Sequence, residues 1–209
     1  MESFQIQSVK EILEAEAAAI LNIPEDNDYE GALEILFRQV HQEHGRVITS
    51  GLGKAGQMAQ NLASTLASTG TQAVFLHPSE AQHGDLGIVH PKDALIFISN
   101  SGKTRELLEL TSLVRKLHGI LPMIVITGNR ESPLAELADV VLHTGGPKEV
   151  CPLGLTPTTS ITTMHVIGHV LVIGMIGKTG FSREDYLKRH HGGYLGAVLK
   201  EEKRGEAKG

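Results

Sequence analysis

Among its 209 residues the chain has a single cysteine, Cys151. That excludes an internal disulfide framework and fits a reducing compartment. It has no dense Lys or Arg block, and its formal net charge is −5. The electrostatics that attract a nucleic-acid backbone are therefore missing, and no nucleic-acid partner is expected. Positive charge for any phosphate ligand has to be gathered locally. The most apolar run, "VLVIGMIG" at residues 170–177, is too short to cross a bilayer. The N-terminal stretch "MESFQIQSVKEILEAEAAAIL" carries acidic residues through its apolar positions, unlike a secretory signal. No membrane association is expected, and the cytoplasm is the expected compartment. Internal repeats and linkers are also lacking. One domain over residues 1–199 is predicted, followed by a disordered tail, "KEEKRGEAKG" at 200–209, with too few apolar residues to fold.

What is present is a change of period. Residues 4–21 have helical spacing (Phe4, Val9, Ile12, Leu13, Ile20) and stop before Pro24. A second helix is predicted over residues 29–44, ending at Gly45. Short β-branched apolar runs then follow: "RVITS" (46–50), "AVFL" (73–76), "ALIFIS" (94–99), "PMIVIT" (122–127) and "VVLHT" (140–144). Most are separated by helical stretches at 54–68, 104–118 and 132–138. Continuously apolar strands alternating with helices indicate an α/β fold with a parallel sheet covered on both faces. A long helix over about 158–176 closes the pattern, with Thr156 as its expected N-cap and Pro157 in its first turn. In such a sheet ligands bind beyond the carboxyl ends of the strands, so the segments after the strands carry the function.

"SNSGKT" (99–104) ends like an ATP-binding loop, but a Walker loop needs glycine at position 97, which is Phe97. What remains is a hydroxyl-rich turn (Ser99, Ser101, Thr104) before a helix, able to hold a phosphate monoester through hydroxyls and helix amides. "GLGKAG" (51–56) matches a dinucleotide fingerprint, which makes an NAD(P)-dependent oxidoreductase the competing reading. The second strand, however, ends Leu76-His77 without the ribose-binding carboxylate. Lys54 within this motif points toward the shared mouth of the strands, or is a solvated surface lysine. "HPSEAQHGDLG" (77–87) brings His77 and His83 near Glu80 and Asp85. No required metal is expected there, only opportunistic inhibitory binding. Glu106 starts a helix, where dipole stabilisation alone would account for it. Glu149 lies in a Gly/Pro-flanked loop, where partial desolvation is expected to raise its pKa toward that of a general base. Cys151 is a nucleophile candidate or simply a packed thiol. In "RHHGGYLG" (189–196) the glycines suggest a turn.

Together these stretches resemble the sugar isomerase (SIS) domain of arabinose-5-phosphate isomerases. The resemblance runs through "TSGLGKAG", "LASTGTQAVFLHPSEAQHGDLG", "ISNSGKT", "ITGN", "KEVCPLGLTPTTS" and "HHGGYLG", over roughly residues 45–198. It implies a three-layer sandwich with a five-stranded parallel sheet flanked by helices, a homotetramer, and interconversion of D-ribulose 5-phosphate and D-arabinose 5-phosphate on the way to the Kdo sugar of lipopolysaccharide. By the same resemblance the catalytic residues are Lys54, Glu106, Glu149 and His190. His77 and His83 line the site with Gly70 and Thr71, while Ser99, Asn100, Ser101 and Thr104 grip the phosphate. Neither a cofactor nor a metal is implied.

Two residues depart from the family pattern, Lys103 where Glu is common and His191 where Pro is common. Many members carry paired CBS domains after this region, and the expectation here is a single SIS domain without them. Feedback by Kdo-pathway products would then act at the active site. The resemblance further suggests Glu149 as the carbon-proton base, His190 as acid/base on oxygen, Lys54 as enediolate stabiliser, and His83 or Glu106 orienting hydroxyls. SIS domains also serve as non-catalytic sugar-phosphate sensors in transcription factors, and a different sugar phosphate could be the substrate.

Overall fold

A computed structural model describes residues 8–191. The predicted tail, the glycine turn after His191 and the first part of the N-terminal helix lie outside them. Within them the first helix, α1 (Val9–Leu21), starts at a capping box in which Ser8 and Glu11 exchange backbone–side-chain hydrogen bonds. Asp28 caps α2 (Tyr29–Leu36) through the amide of Gly31, and the helix widens into a π turn at Phe37–Gln42. Then β1 (Val47–Gly51), α3 (Gly53–Ser68), β2 (Ala73–Phe75), β3 (Ala94–Ile98), α4 (Arg105–His118), β4 (Met123–Thr127), α5 (Pro133–Glu136), β5 (Val140–His143), α6 (Thr159–Thr179) and α7 (Arg183–Leu187) follow. Two 3₁₀ turns, Glu80–His83 and Asp85–Ile88, fill the connection from β2 to β3.

The strands form one parallel sheet in the order β2-β1-β3-β4-β5. Every residue of β1, β3 and β4 is buried, which explains why these runs have no polar alternation. Alternate side chains feed two cores. Ile96, Ile98, Ile124 and Ile126 face one side with Leu62 and Leu66 of α3 and Ile167 and Leu171 of α6. Leu95, Phe97, Met123 and Val125 face the other with Leu107, Leu110 and Val114 of α4. Burying one such side chain contributes about 1.5–3 kcal/mol, so the central strands are fixed in register by both layers at once.

The run "VLVIGMIG" turns out to belong to the 21-residue helix α6, which is long and apolar enough, by length and composition, to cross a membrane. In this fold it is a core helix. Met164, Ile167, Leu171 and Met175 are at most 1% exposed, and α6 packs on α1, α2 and α3.

The chain winds from β1 outward to β2, then returns past β1 to β3 and onward to β5. The winding direction reverses between β1 and β3, so a crevice opens where the loops leaving their carboxyl ends diverge.

Candidate active site

That crevice is a cleft of about 400 Å³. Leu52 and Lys54 border it beyond β1, the segment Ser99–Ser101 and Thr104 beyond β3, and Glu149, Leu155 and Ser160 on the side of α6. A second concavity, about 470 Å³, lies at the opposite end of β1 and β3 and is bordered by Arg46 and Lys92. Its cations are already engaged. Arg46 faces the buried Asp93 at 3.6 Å, and Lys92 pairs with Glu43 at 2.9 Å. The smaller cleft, at the switch point, is the candidate active site.

The turn after β3 is built to hold its shape. Ser99 is 3% exposed; its hydroxyl shares a 2.8 Å hydrogen bond with Thr104 Oγ1 and accepts the amide of Gly102 at 3.1 Å. The carbonyl of Asn100 accepts Gly128 N and Thr127 Oγ1, tying the turn to the end of β4. Gly102 is left-handed (φ 62°), and a Cβ there would lie 1.9 Å from Ser132 Oγ, so glycine is required. Because the Thr104 hydroxyl is turned back to Ser99, α4 begins without a side-chain cap. Its first-turn amides remain available to an anion. The same is true of α3, whose N-cap position is Leu52. Lys54, in the first turn of α3, is exposed, and its one polar contact among the described residues is a 3.5 Å approach to Gln57. It is the only Lys, Arg or His among the described residues that line the cleft.

The third helix end at the cleft is different. The sequence places the cap of α6 at Thr156; the structure places it at Thr158, which makes no side-chain capping bond of its own. Glu149 does the capping instead. Its Oε2 accepts Thr158 N at 2.7 Å, Thr158 Oγ1 at 3.1 Å and Ser160 N at 3.3 Å, and its Oε1 accepts a short hydrogen bond from the Ser160 hydroxyl. Between them, Thr159 accepts Val150 N at 3.0 Å and donates to Glu16 Oε1 of α1 at 2.8 Å. The loop carrying Glu149 is thus pinned from two helices.

Electrostatics follow from this cap and correct the expectation of a raised pKa. Burial alone would push the Glu149 carboxyl up. The Ser160 hydroxyl, the amides of Thr158 and Ser160, and the Thr158 hydroxyl together outweigh it and hold the pKa below the ordinary carboxylate value. Two residues on, the Cys151 thiol is lowered to about 7 by the hydroxyl and amide of Thr156, with smaller help from the amides of Leu155 and Leu153. Its role in the structure is to fold back the turn that borders the cleft, with Thr156 N 3.2 Å from Sγ.

The model of the SIS domain family matches residues 39–174, an interval that contains the sheet and every cleft-lining element. The chain belongs to the SIS domain family. Among proteins of known structure, a candidate phosphosugar isomerase involved in capsule formation from Bacteroides fragilis is 57% identical, with a TM-score of 0.87, covering 89% of this chain and 97% of that one. An Escherichia coli CFT073 protein solved in complex with arabinose 5-phosphate is 33% identical with a TM-score of 0.78, covering 85% of this chain and 93% of that one. Arabinose 5-phosphate isomerase KdsD of Salmonella typhi is 42% identical over 195 residues, 92% of this chain but 58% of that protein. The chain therefore spans a little over half the length of the curated relatives it matches.

Of the SIS residues expected from sequence, the cleft gathers Lys54, Ser99, Asn100, Ser101, Thr104 and Glu149. Glu106 is half-buried in the first turn of α4 and is not among the lining residues. His77 and His83 follow β2 at the edge of the sheet, also off the cleft wall; His83 is exposed, and His77 Nδ1 is enclosed without a partner among the described residues. No group of three or more His, Cys, Asp or Glu residues poised for a metal occurs among the described residues.

Gly70, Thr71 and His190 lie at the other end of the chain's fold. Thr71 is fully buried between α3 and β2, against His41 at 3.3 Å. Gly70 abuts the Phe181 ring, which Arg189 covers at 5.2 Å, and the neighbouring His190 stacks on Tyr186 at 3.7 Å. The length of α6, about 30 Å for its 21 residues, separates this group from Glu149. Sequence order gives no hint of that separation, because the motif residues alternate between the two ends of the sheet. Thr158 and Ser160, conversely, touch Glu149 directly, and the sequence reading passes over them. The signal that could have found them is a hydroxyl-rich helix start, "TPTTS", lacking an Asp or Asn cap of its own.

Proposed function

We propose that this protein interconverts D-ribulose 5-phosphate and D-arabinose 5-phosphate through a cis-enediol. The observation that carries this reading is the make-up of the cleft. A clamped carboxylate (Glu149) and an exposed ammonium (Lys54) share about 400 Å³ with a rigid hydroxyl turn set at an uncapped helix end. Such a volume suits one small ligand. The Salmonella typhi relative, an arabinose 5-phosphate isomerase, and the Escherichia coli relative, solved with arabinose 5-phosphate bound, point to the same sugar phosphate.

In the reaction the phosphate sits on Ser99, Ser101, Thr104 and the first amides of α4. A five-carbon 5-phosphate cannot close a six-membered ring through C5, so the acyclic or furanose form is handled. Glu149 removes the proton from C1 of the ketose, and the electron pair moves onto O2 through the C1–C2 double bond of the enediolate. Lys54 stabilises that negative charge. The same carboxyl then returns the proton to C2 as the C1 carbonyl forms, while a second group moves a proton between O1 and O2. The change is redox-neutral within one molecule.

His190 is the group we assign to the oxygens, and its distance from the cleft within one chain is reconciled if a second copy delivers it. Gly70, Thr71 and His190 of one subunit would then meet Lys54, Glu149 and the hydroxyl turn of another, within the homotetramer that the family resemblance implies. The cytoplasm as compartment, a place before Kdo and lipopolysaccharide synthesis, and feedback by later products at this same cleft belong to the same reading. For the Bacteroides fragilis relative, a candidate phosphosugar isomerase involved in capsule formation, no particular sugar is specified, so a different sugar phosphate is the alternative.

The test is incubation with D-ribulose 5-phosphate without any nucleotide, following aldose formation. Arabinose 5-phosphate is the expected product. Turnover confined to another pentose or hexose phosphate would reassign the substrate, and binding without turnover of any of them would make this a sensor rather than an enzyme.

A further inference from the structure

The donors around Glu149 are unevenly divided, and the division bears on how a base can work there. A carboxylate offers about two lone-pair directions on each oxygen. Oε2 receives three donors, Thr158 N, Thr158 Oγ1 and Ser160 N, at 2.7, 3.1 and 3.3 Å. It has no capacity left for a carbon-bound proton. Among the described residues Oε1 receives only the Ser160 hydroxyl and keeps one lone pair. Ser160 itself is 1% exposed, lies on the cleft wall and occupies the first turn of α6, so its hydroxyl cannot wander into solvent. Its backbone is held in turn, the Ser160 carbonyl accepting Thr163 Oγ1 at 2.9 Å.

We propose that Ser160 is a positioning residue for Glu149: with the other donors at the start of α6 it clamps the carboxylate so that Oε2 is the anchor and Oε1 is the oxygen that takes and returns the proton. This rests on Glu149 being the carbon-proton base. The clamp has two opposing effects. It fixes the direction of the free lone pair, which favours proton transfer at a defined carbon. It also stabilises the charged form, which weakens the base. The gain in orientation exceeds the loss in basicity, because the helix end that stabilises the anion costs nothing to reorganise during turnover. A Thr at position 160 preserves the donor; an Ala removes it while leaving the Ser160 amide and the rest of the cap intact.

The experiment compares Ser160→Ala, Ser160→Thr and Thr158→Val in the full-length protein. Glu149 is titrated directly through the ¹³C-carboxyl resonance that Glu149→Gln removes, and turnover of ribulose 5-phosphate is measured alongside. In Ser160→Ala we expect the Glu149 pKa to move up and kcat to fall about 10-fold, the size of one lost hydrogen bond to a charged group, with KM changed less than about twofold. Ser160→Thr restores both. Thr158→Val, which takes one of three donors from the anchor oxygen, moves the pKa in the same direction but leaves kcat within about threefold. It also provides the titration reading should Ser160→Ala fail to fold.

An unmoved resonance in Ser160→Ala, or kcat lost equally in Ser160→Thr, would overturn the positioning role while leaving the base assignment standing. A loss in Thr158→Val as large as in Ser160→Ala would overturn the division between the oxygens. Full activity in Glu149→Gln would instead remove the base on which this inference rests.

Discussion

Glu149→Gln lowers kcat by about 10³-fold, abolishes solvent deuterium exchange at C2 of arabinose 5-phosphate and leaves binding of the sugar phosphate nearly unchanged. A general base typically supplies 10²–10⁴-fold, and 10³-fold corresponds to about 4 kcal/mol of barrier. The substitution is informative because it keeps the shape of the site. The amide oxygen can take the place of Oε2 and accept Thr158 N and Ser160 N, and the amide nitrogen then meets the Ser160 hydroxyl, which can turn to accept. The helix stays capped, by a neutral group instead of an anion, so the protein should fold with a modest loss of stability, on the order of 1 kcal/mol. Phosphate contacts on Ser99, Ser101 and Thr104 are untouched. Isotope exchange by NMR, together with a binding isotherm, separates the two effects. Exchange at a near wild-type rate would transfer the base role to another residue.

Lys54→Met has the second-largest expected effect, a fall in kcat/KM of about 10²–10³-fold, the usual loss when one preorganised charge or donor facing a developing oxyanion is removed. Methionine keeps the length and apolar stem of lysine and removes only the charge. Stability should behave in the opposite sense. A cation in the first turn of a helix opposes the helix dipole, and among the described residues Lys54 has neither an anionic partner nor a side-chain cap beside it. The variant should therefore melt at the wild-type temperature or slightly above. A large loss of activity without loss of stability distinguishes a residue retained for chemistry from one retained for folding. A destabilised variant, or one with full activity, would return Lys54 to the surface.

Both predictions depend on geometry that is only partly legible in the sequence. The fold is legible because β1, β3 and β4 are buried on both faces, so every residue in them must be apolar or small, and the runs "ALIFI" and "MIVIT" cannot be mistaken for amphipathic elements. Strand boundaries differ from the expectation by no more than one residue at either end. The cleft side of the site is legible too, since the loops after β1 and β3 carry Lys54 and the hydroxyl turn and a doubly wound sheet puts both at its carboxyl edge.

The remainder is hidden for identifiable reasons. The cap of α6 is misplaced from sequence because Pro157 and Thr156 form a good local cap signal, whereas the actual cap comes from Glu149, nine residues before Thr158. Long-range caps leave no periodic trace. Desolvation is the effect a loop sequence suggests, which is why a raised pKa is expected for Glu149; the four donors that reverse it exist only once α6 is docked. Gly70, Thr71 and His190 are grouped with Lys54 by motif, yet in one chain they stand at the far end of α3 and α6. Motif order carries no information about which end of a helix faces which subunit.

The most direct test is the structure of the protein with arabinose 5-phosphate bound. The phosphate is expected within hydrogen-bonding reach of the Ser99–Thr104 turn and the first amides of α4. C1 and C2 are expected beside Glu149 Oε1, with Oε2 still on the start of α6. A phosphate seated at the opposite end of the sheet, between Arg46 and Lys92, or a sugar whose C1 and C2 lie out of reach of Glu149, would contradict it.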